Sequence, residues 1–119
     1  MAWKIHQFQQ VFSEFYAGCD TELKAEIDRR LDVLRDLGNT AREPYSKFVQ
    51  DGIFECRAKT IRHQARLLFC FQPGKNIVIV VCVIKKKSKL DRSDIREALR
   101  RKVIVETEQE KNSGLYRTH

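Results

Sequence analysis

The sequence predicts an α+β fold, a small, mostly antiparallel sheet packed against an N-terminal helical hairpin and a C-terminal helix. Three observations carry this. Two helix-spaced apolar stripes lie before Gly38, three strand-like runs lie between Ile53 and Ile84, and a capped helical stripe follows Asp91. Helices segregated from strands along the chain signal α+β rather than an alternating α/β order. The 119 residues suit one domain with one core. That domain spans residues 1–107, and residues 108–119 form a polar tail.

Met1 to Phe8 holds Trp3, Ile5 and His6 in a short extended piece. Phe8, Val11, Phe12, Phe15 and Tyr16 then follow a helical spacing that Gly18 ends. Asp20 or Thr21 can cap the next helix, because a side-chain oxygen accepts from the free amides of a first turn. Leu23, Ile27, Leu31, Leu34 and Leu37 form its apolar stripe, and Gly38-Asn39 stops it. Asn39 to Gly52, with Pro44 and Asp51-Gly52, reads as a connector.

The first strand of the second half, Ile53 to Lys59, alternates. Ile53, Glu55, Arg57 and Lys59 share one side; Phe54, Cys56 and Ala58 share the other. Ile61 to Gln72 contains the run Leu67 to Phe71, and Pro73-Gly-Lys-Asn76 is a turn. Ile77 to Ile84 is the most apolar run and reads as a central strand. Ser88-Lys-Leu-Asp91 fits a capping box, with Asp91 a second candidate cap. Ile95, Ala98, Leu99 and Val103 give the last helix its core-facing stripe. From Glu106 the chain is polar without periodicity, so 108–119 is expected to be frayed or disordered unless a partner orders it.

Composition excludes several classes. Apolar residues make up 42% and charged residues 33%, as in folded soluble proteins and unlike disordered chains. The N-terminus MAWKIHQFQQVF lacks an apolar leader core, and the longest apolar run falls far short of a membrane span. A cytoplasmic protein with no membrane partner is expected. Cys19, Cys56, Cys70 and Cys82 form no CxxC pair and no metal-ligand spacing, so they read as buried thiols rather than disulfides or zinc ligands.

Charge is distributed unevenly. Residues 1–52 carry 7 Lys/Arg against 9 Asp/Glu, residues 53–102 carry 14 against 4, and the whole chain is +7. The excess therefore belongs to the strand-rich half and points to a polyanion. The apolar run ending at Ile84 passes straight into Lys85, Lys86 and Lys87, with Lys89 one step on. Arg57, Lys59, Arg62, His63 and Arg66 lie on the two preceding strands and their turn.

Strands joined by short turns are neighbours, so these side chains converge on one surface suited to phosphate. Arginine offers a planar donor fork and lysine a movable point charge. RNA carries its own nucleophile, the 2′-hydroxyl, so such a cluster could cleave it without metal or cofactor. The requirements are positioning, proton transfer and stabilisation of the phosphate. A bland reading also exists, since lysines protect strand edges from aggregation. His63 is the one histidine near the cluster, in a turn between strands, and His6 and His119 have no clustered partners. Phe69 and Phe71 could stack on bases, but read better as core. No nucleophile motif, paired carboxylates or glycine-rich phosphate loop is present.

Several short motifs then fall in a shared order. The stretch Glu43-Pro-Tyr-Ser-Lys-Phe-Val-Gln-Asp-Gly-Ile-Phe-Glu-Cys-Arg57 resembles the lead into the second strand of RelE/HigB-type toxins, closest to the phage-derived HigB-like branch. Arg66-Leu-Leu-Phe69 resembles that family's "R-I-x-Y", Val83 to Lys89 its "F-x-K-K-x-x-K", and Asp94-Ile-Arg-Glu-Ala98 its "E-I-x-x-A". The resemblance implies a RelE-like fold, metal-independent mRNA cleavage, often on the ribosome, and neutralisation by a small antitoxin, usually a helix-turn-helix protein. It assigns Arg57, Arg66, Lys85 and Lys86 to phosphate contact and catalysis, and Lys59, Arg62, His63 and Lys89 to RNA binding, to which the lysine run adds Lys87. Two departures stand out. Asp91 lies where relatives open the last helix with proline, and Phe69 lacks the hydroxyl that some relatives use.

Two other functions fit the same scaffold. One is a ParE-like topoisomerase inhibitor without enzymatic activity. The other is an RNA- or ribosome-binding module that does not cleave.

Overall fold

Two short strands flank the elements read from the sequence, so the sheet is wider than its three strong strand patterns. The computed structural model describes residues 2–85, 89–111 and 117–118. Lys86, Lys87, Ser88, residues 112–116 and His119 lie outside the described residues. The described part of the tail, expected to be frayed or disordered, is regular instead, 108–111 continuing the last helix and Arg117–Thr118 pairing as a strand with Gln7 and His6. In chain order the elements are β1 (Lys4–Gln7), α1 (Val11–Ala17), α2 (Thr21–Leu37), β2 (Lys47–Gln50), β3 (Ile53–Lys59), β4 (Gln64–Gln72), β5 (Asn76–Ile84), α3 (Arg92–Lys111) and β6 (Arg117–Thr118). The sheet order is β2-β3-β4-β5-β1-β6. Among the described strands only the β1–β5 pair is parallel; the other neighbours are antiparallel.

Both faces of the sheet are covered. On one, Phe12 of α1 and Leu23, Ile27, Leu31 and Leu34 of α2 pack on Ile5, Cys56, Ala58, Leu67, Phe69, Ile77 and Ile79. Asp20 caps α2 as its sequence suggests, Oδ1 accepting from the Leu23 N–H at 2.8 Å. On the other, Ala98 and Val105 of α3 pack on Ile53, Leu68, Cys70, Val78 and Val80. Double coverage explains why Ala65 to Cys70 is buried without a break.

Four further expectations need correction. The connector from Asn39 to Gly52 contains β2, whose Phe48 lies opposite Phe54 at the sheet edge. Phe8 precedes α1 and packs on the α3 side. Val103 is 60% exposed, and Val105 takes its place in the core. Leu37, last of the α2 stripe, is 43% exposed, because the chain leaves the helix at Gly38.

Gly38 makes that exit at φ 55, ψ −128, and a Cβ there would overlap the Trp3 indole. The backbone N–H of Trp3 donates to the Arg35 carbonyl at 2.9 Å, which docks the entry to β1 on the end of α2.

The four cysteines are free thiols. Burial pushes the Cys56 thiol up to about 12 and that of Cys70 up to about 11, and it raises Cys19 and Cys82 too. No described helix is long and apolar enough to cross a membrane.

Candidate functional site

The β3–β4 hairpin turns at residues 60–63, and its register places Arg57 directly opposite Arg66. Both side chains share the α3 face of the sheet with Glu55, two residues before Arg57 on the same strand. Glu55 is 3% exposed and Arg66 4%, while Arg57 is half-buried. Glu55 Oε1 lies 3.6 Å from Arg57 Nε, and Glu55 Oε2 lies 3.4 Å from Arg66 Nε. At the outer side of the pair, Arg57 Nη2 donates to Glu43 Oε1 at 2.6 Å. Glu43 is half exposed, in the loop whose Pro44 carbonyl accepts from the Arg57 N–H at 2.9 Å.

Arg66 also lines an open cleft of about 510 Å³ between the end of β5 and the start of α3. Lys85 continues the ladder past β5, its N–H donating to the Gln64 carbonyl at 2.6 Å, and its half-buried side chain enters the cleft wall with the exposed Lys89. Phe15, Val83 and Leu90 supply apolar wall. Asp91 and Asp94 face these cations from the helix side. Asp91 immediately precedes α3, and its carbonyl accepts from the amides of Asp94 and Ile95. Burial, and then the nearby Asp91 carboxylate, push the Asp94 carboxyl above the usual aspartate value, so it keeps its proton to higher pH.

The sequence-predicted residues therefore divide. Arg57 and Arg66 are cross-strand partners, and Arg66, Lys85 and Lys89 meet at the cleft. Lys59 instead lines a depression against α2 with Glu22, Glu26 and Arg29. Arg62 is exposed in the hairpin turn. His63 Nδ1 lies 3.6 Å from Asp20 Oδ2, which ties it to the start of α2 rather than to the arginines. Lys86 and Lys87 fall outside the described residues. Phe69 is buried in the α2-side core and cannot offer a stacking face.

Glu43, Glu55 and Asp94 were not singled out as site residues by the sequence. Glu55 had one available signal, its place two residues before Arg57 on an alternating strand, which puts carboxylate and guanidinium on one face. Among the described residues, no group of three or more His, Cys, Asp or Glu side chains is placed to hold a metal ion.

Chemically, the arrangement offers two guanidinium forks on rigid strands, an ammonium beside one of them, and across the cleft an acid that holds its proton to higher pH than an ordinary aspartate. Such a set can bind a phosphodiester, neutralise charge that develops on it and exchange a proton with it. The family model described as phage-derived protein Gp49-like (DUF891) matches residues 14–103, from α1 into α3. The match takes in Glu43, Glu55, Arg57, Arg66 and Lys85. No curated protein matches the chain.

Proposed function

Because the chain belongs to the phage-derived Gp49-like family (DUF891), we propose that it is the toxin of a toxin–antitoxin pair and an endoribonuclease that cuts mRNA on the ribosome. One observation carries the enzymatic part of this reading. The register-paired Arg57 and Arg66 are held by a buried carboxylate at the edge of a cleft that also contains Lys85 and Asp94. RNA supplies the attacking 2′-hydroxyl, so the protein needs only to align the phosphate, move two protons and stabilise the charge. In the proposed mechanism, Arg57 and Arg66 hold the non-bridging oxygens. Lys85 takes the 2′-hydroxyl proton or stabilises the charge that develops as the 2′-oxygen attacks phosphorus. The departing 5′-oxygen takes a proton from solvent in the cleft or from Asp94 across it. The products are a 2′,3′-cyclic phosphate and a 5′-hydroxyl. The proposed partners are mRNA, the ribosome and a small antitoxin, and the helix-turn-helix type follows from the resemblance to HigB-like toxins.

A second reading, an RNA-binding module that does not cleave, draws on a different observation. Glu55 and Glu43 offset the charge of both arginines, so attraction of a phosphate at the cleft falls mainly to Lys85 and Lys89.

The test is incubation of the purified chain with free mRNA and with mRNA in translating ribosomes, followed by mapping of the ends. New 5′-hydroxyl and cyclic-phosphate ends within reading frames are the expected result. Salt-sensitive binding without cuts supports the binding module. Growth arrest in cells with intact mRNA and broken DNA supports a topoisomerase inhibitor.

Glu43 gives a more local prediction. Its carboxylate occupies a donor that a phosphate oxygen would use, and it must yield when RNA binds. A partly exposed ion pair is worth about 0.5–1 kcal/mol, so Glu43→Gln should tighten RNA binding roughly two- to fivefold. Filter binding or fluorescence anisotropy with a short RNA reads this directly. Unchanged or weaker binding would show that Glu43 does not compete with the ligand.

A further inference from the structure

We infer that Glu55 is the positioning residue of this site, a buried carboxylate that sets the angle of both guanidinium forks toward the scissile phosphate. The inference rests on the nuclease reading and adds to it a residue that does not itself touch substrate. Glu55 sits between its two partners, same-face neighbour of Arg57 along β3 and diagonal to Arg66 across the hairpin, where its own register partner is Leu68. It approaches each guanidinium at Nε. Arg57 Nη2 thus serves a partner on the outer side, the place that Glu43 holds in this structure.

Packing alone does not account for a carboxylate here. The same face carries Ile53 and Leu68, both fully buried under α3. A buried ion group often stabilises no more than apolar residues of equal volume, because desolvation of the charges opposes their attraction. The distances are also long. At 3.4 and 3.6 Å these are ion contacts, and neither Glu55 Oε2 nor Arg57 Nε completes a hydrogen bond. A carboxylate held close to Arg57 without a closed hydrogen bond can tighten its grip when that fork turns onto a phosphate. Catalytic contacts commonly close only in the bound complex.

This role predicts a split that a scaffold role does not. Glu55→Gln keeps the shape and removes one negative charge. RNA should then bind at least as tightly, with log Kd depending more steeply on log salt by roughly 0.7, because the site has gained net positive charge. The cleavage step should slow by roughly 10- to 100-fold, because the forks are no longer held in line. The measurements are single-turnover cleavage of mRNA in translating ribosomes, and binding of a short uncleavable 2′-deoxy RNA analogue across a salt series.

A second measurement needs no variant. Nitrogen-15 spectra of the arginine Nε–H groups in the wild-type chain should show the Arg57 and Arg66 signals shifting and exchanging more slowly as the 2′-deoxy analogue is added. Cleavage within twofold of wild type in Glu55→Gln, or Nε–H signals indifferent to the analogue, would overturn the assignment of Glu55 and leave the nuclease reading standing. A wild-type chain that cuts no RNA, free or ribosome-bound, would instead remove the nuclease reading and this inference with it.

Discussion

Arg66→Ala is expected to reduce RNA cleavage by roughly 10²–10³-fold, the usual cost of removing one preorganised donor from a developing negative charge. That corresponds to about 3–4 kcal/mol of transition-state stabilisation. Arg66 is singled out over Arg57 because it alone of the two both contacts Glu55 and lines the cleft. The substitution also removes one partner of a buried carboxylate, which destabilises the fold. Arg66→Lys separates the two effects. It keeps a cation near Glu55 but loses the planar fork, so a folded Arg66→Lys chain should still lose most of its rate. Mapping mRNA 5′ ends after induction of each chain, with thermal melts of the purified proteins, reads both quantities. A folded Arg66 variant that still cuts at wild-type rate would remove Arg66 from the mechanism.

The second large effect concerns stability. Gly38→Ala should lower unfolding free energy by about 3 kcal/mol, which for a domain of this size moves Tm by roughly 10 °C. Two costs combine. The backbone at φ 55, ψ −128 lies in a region that favours glycine, and a Cβ there meets the Trp3 ring. Trp3 cannot move aside freely, because its backbone N–H is bonded to the Arg35 carbonyl and its ring packs edge-on against Phe71 at 5.4 Å. Gly18→Ala is the control. Gly18 has φ −87, and a Cβ there meets only the Phe15 carbonyl oxygen at 3.6 Å. Its Tm should change by no more than about one or two degrees. Equal shifts at the two glycines would show that the Trp3 contact is not the cause.

The α2 stripe, its Asp20 cap and the three long strands were legible in the sequence because each rests on local periodicity or local hydrogen bonding. β2 was not. Four residues, mostly exposed, give too short a pattern to read, and only pairing with β3 makes Lys47–Gln50 a strand. Val103 and Val105 show a similar limit: which face of α3 meets the sheet depends on the angle at which the helix crosses it, not on its composition. At the site, arginines and lysines announced themselves by type, but their grouping did not. The opposition of Arg57 and Arg66 is set by the turn at 60–63, and the diversion of Lys59 and His63 by where α2 lies. Glu55 was hidden because an acidic residue on an alternating strand reads as solvent-facing until α3 is known to cover that face.

The parallel pairing of β1 with β5 has a consequence in time. His6 meets Val78 across the ladder, so this contact closes a loop of roughly seventy residues. Non-local closures of this kind are late and slow in folding, because the entropy of the loop is lost before any strand contact repays it. β5 also carries Val83 and leads into Lys85, two walls of the cleft. A chain still being synthesised thus lacks the strand that completes both the sheet and the site. The pairing that completes the sheet is among the last contacts of the molecule to form, while the β3–β4–β5 hairpins, closed by short turns, do not wait for it.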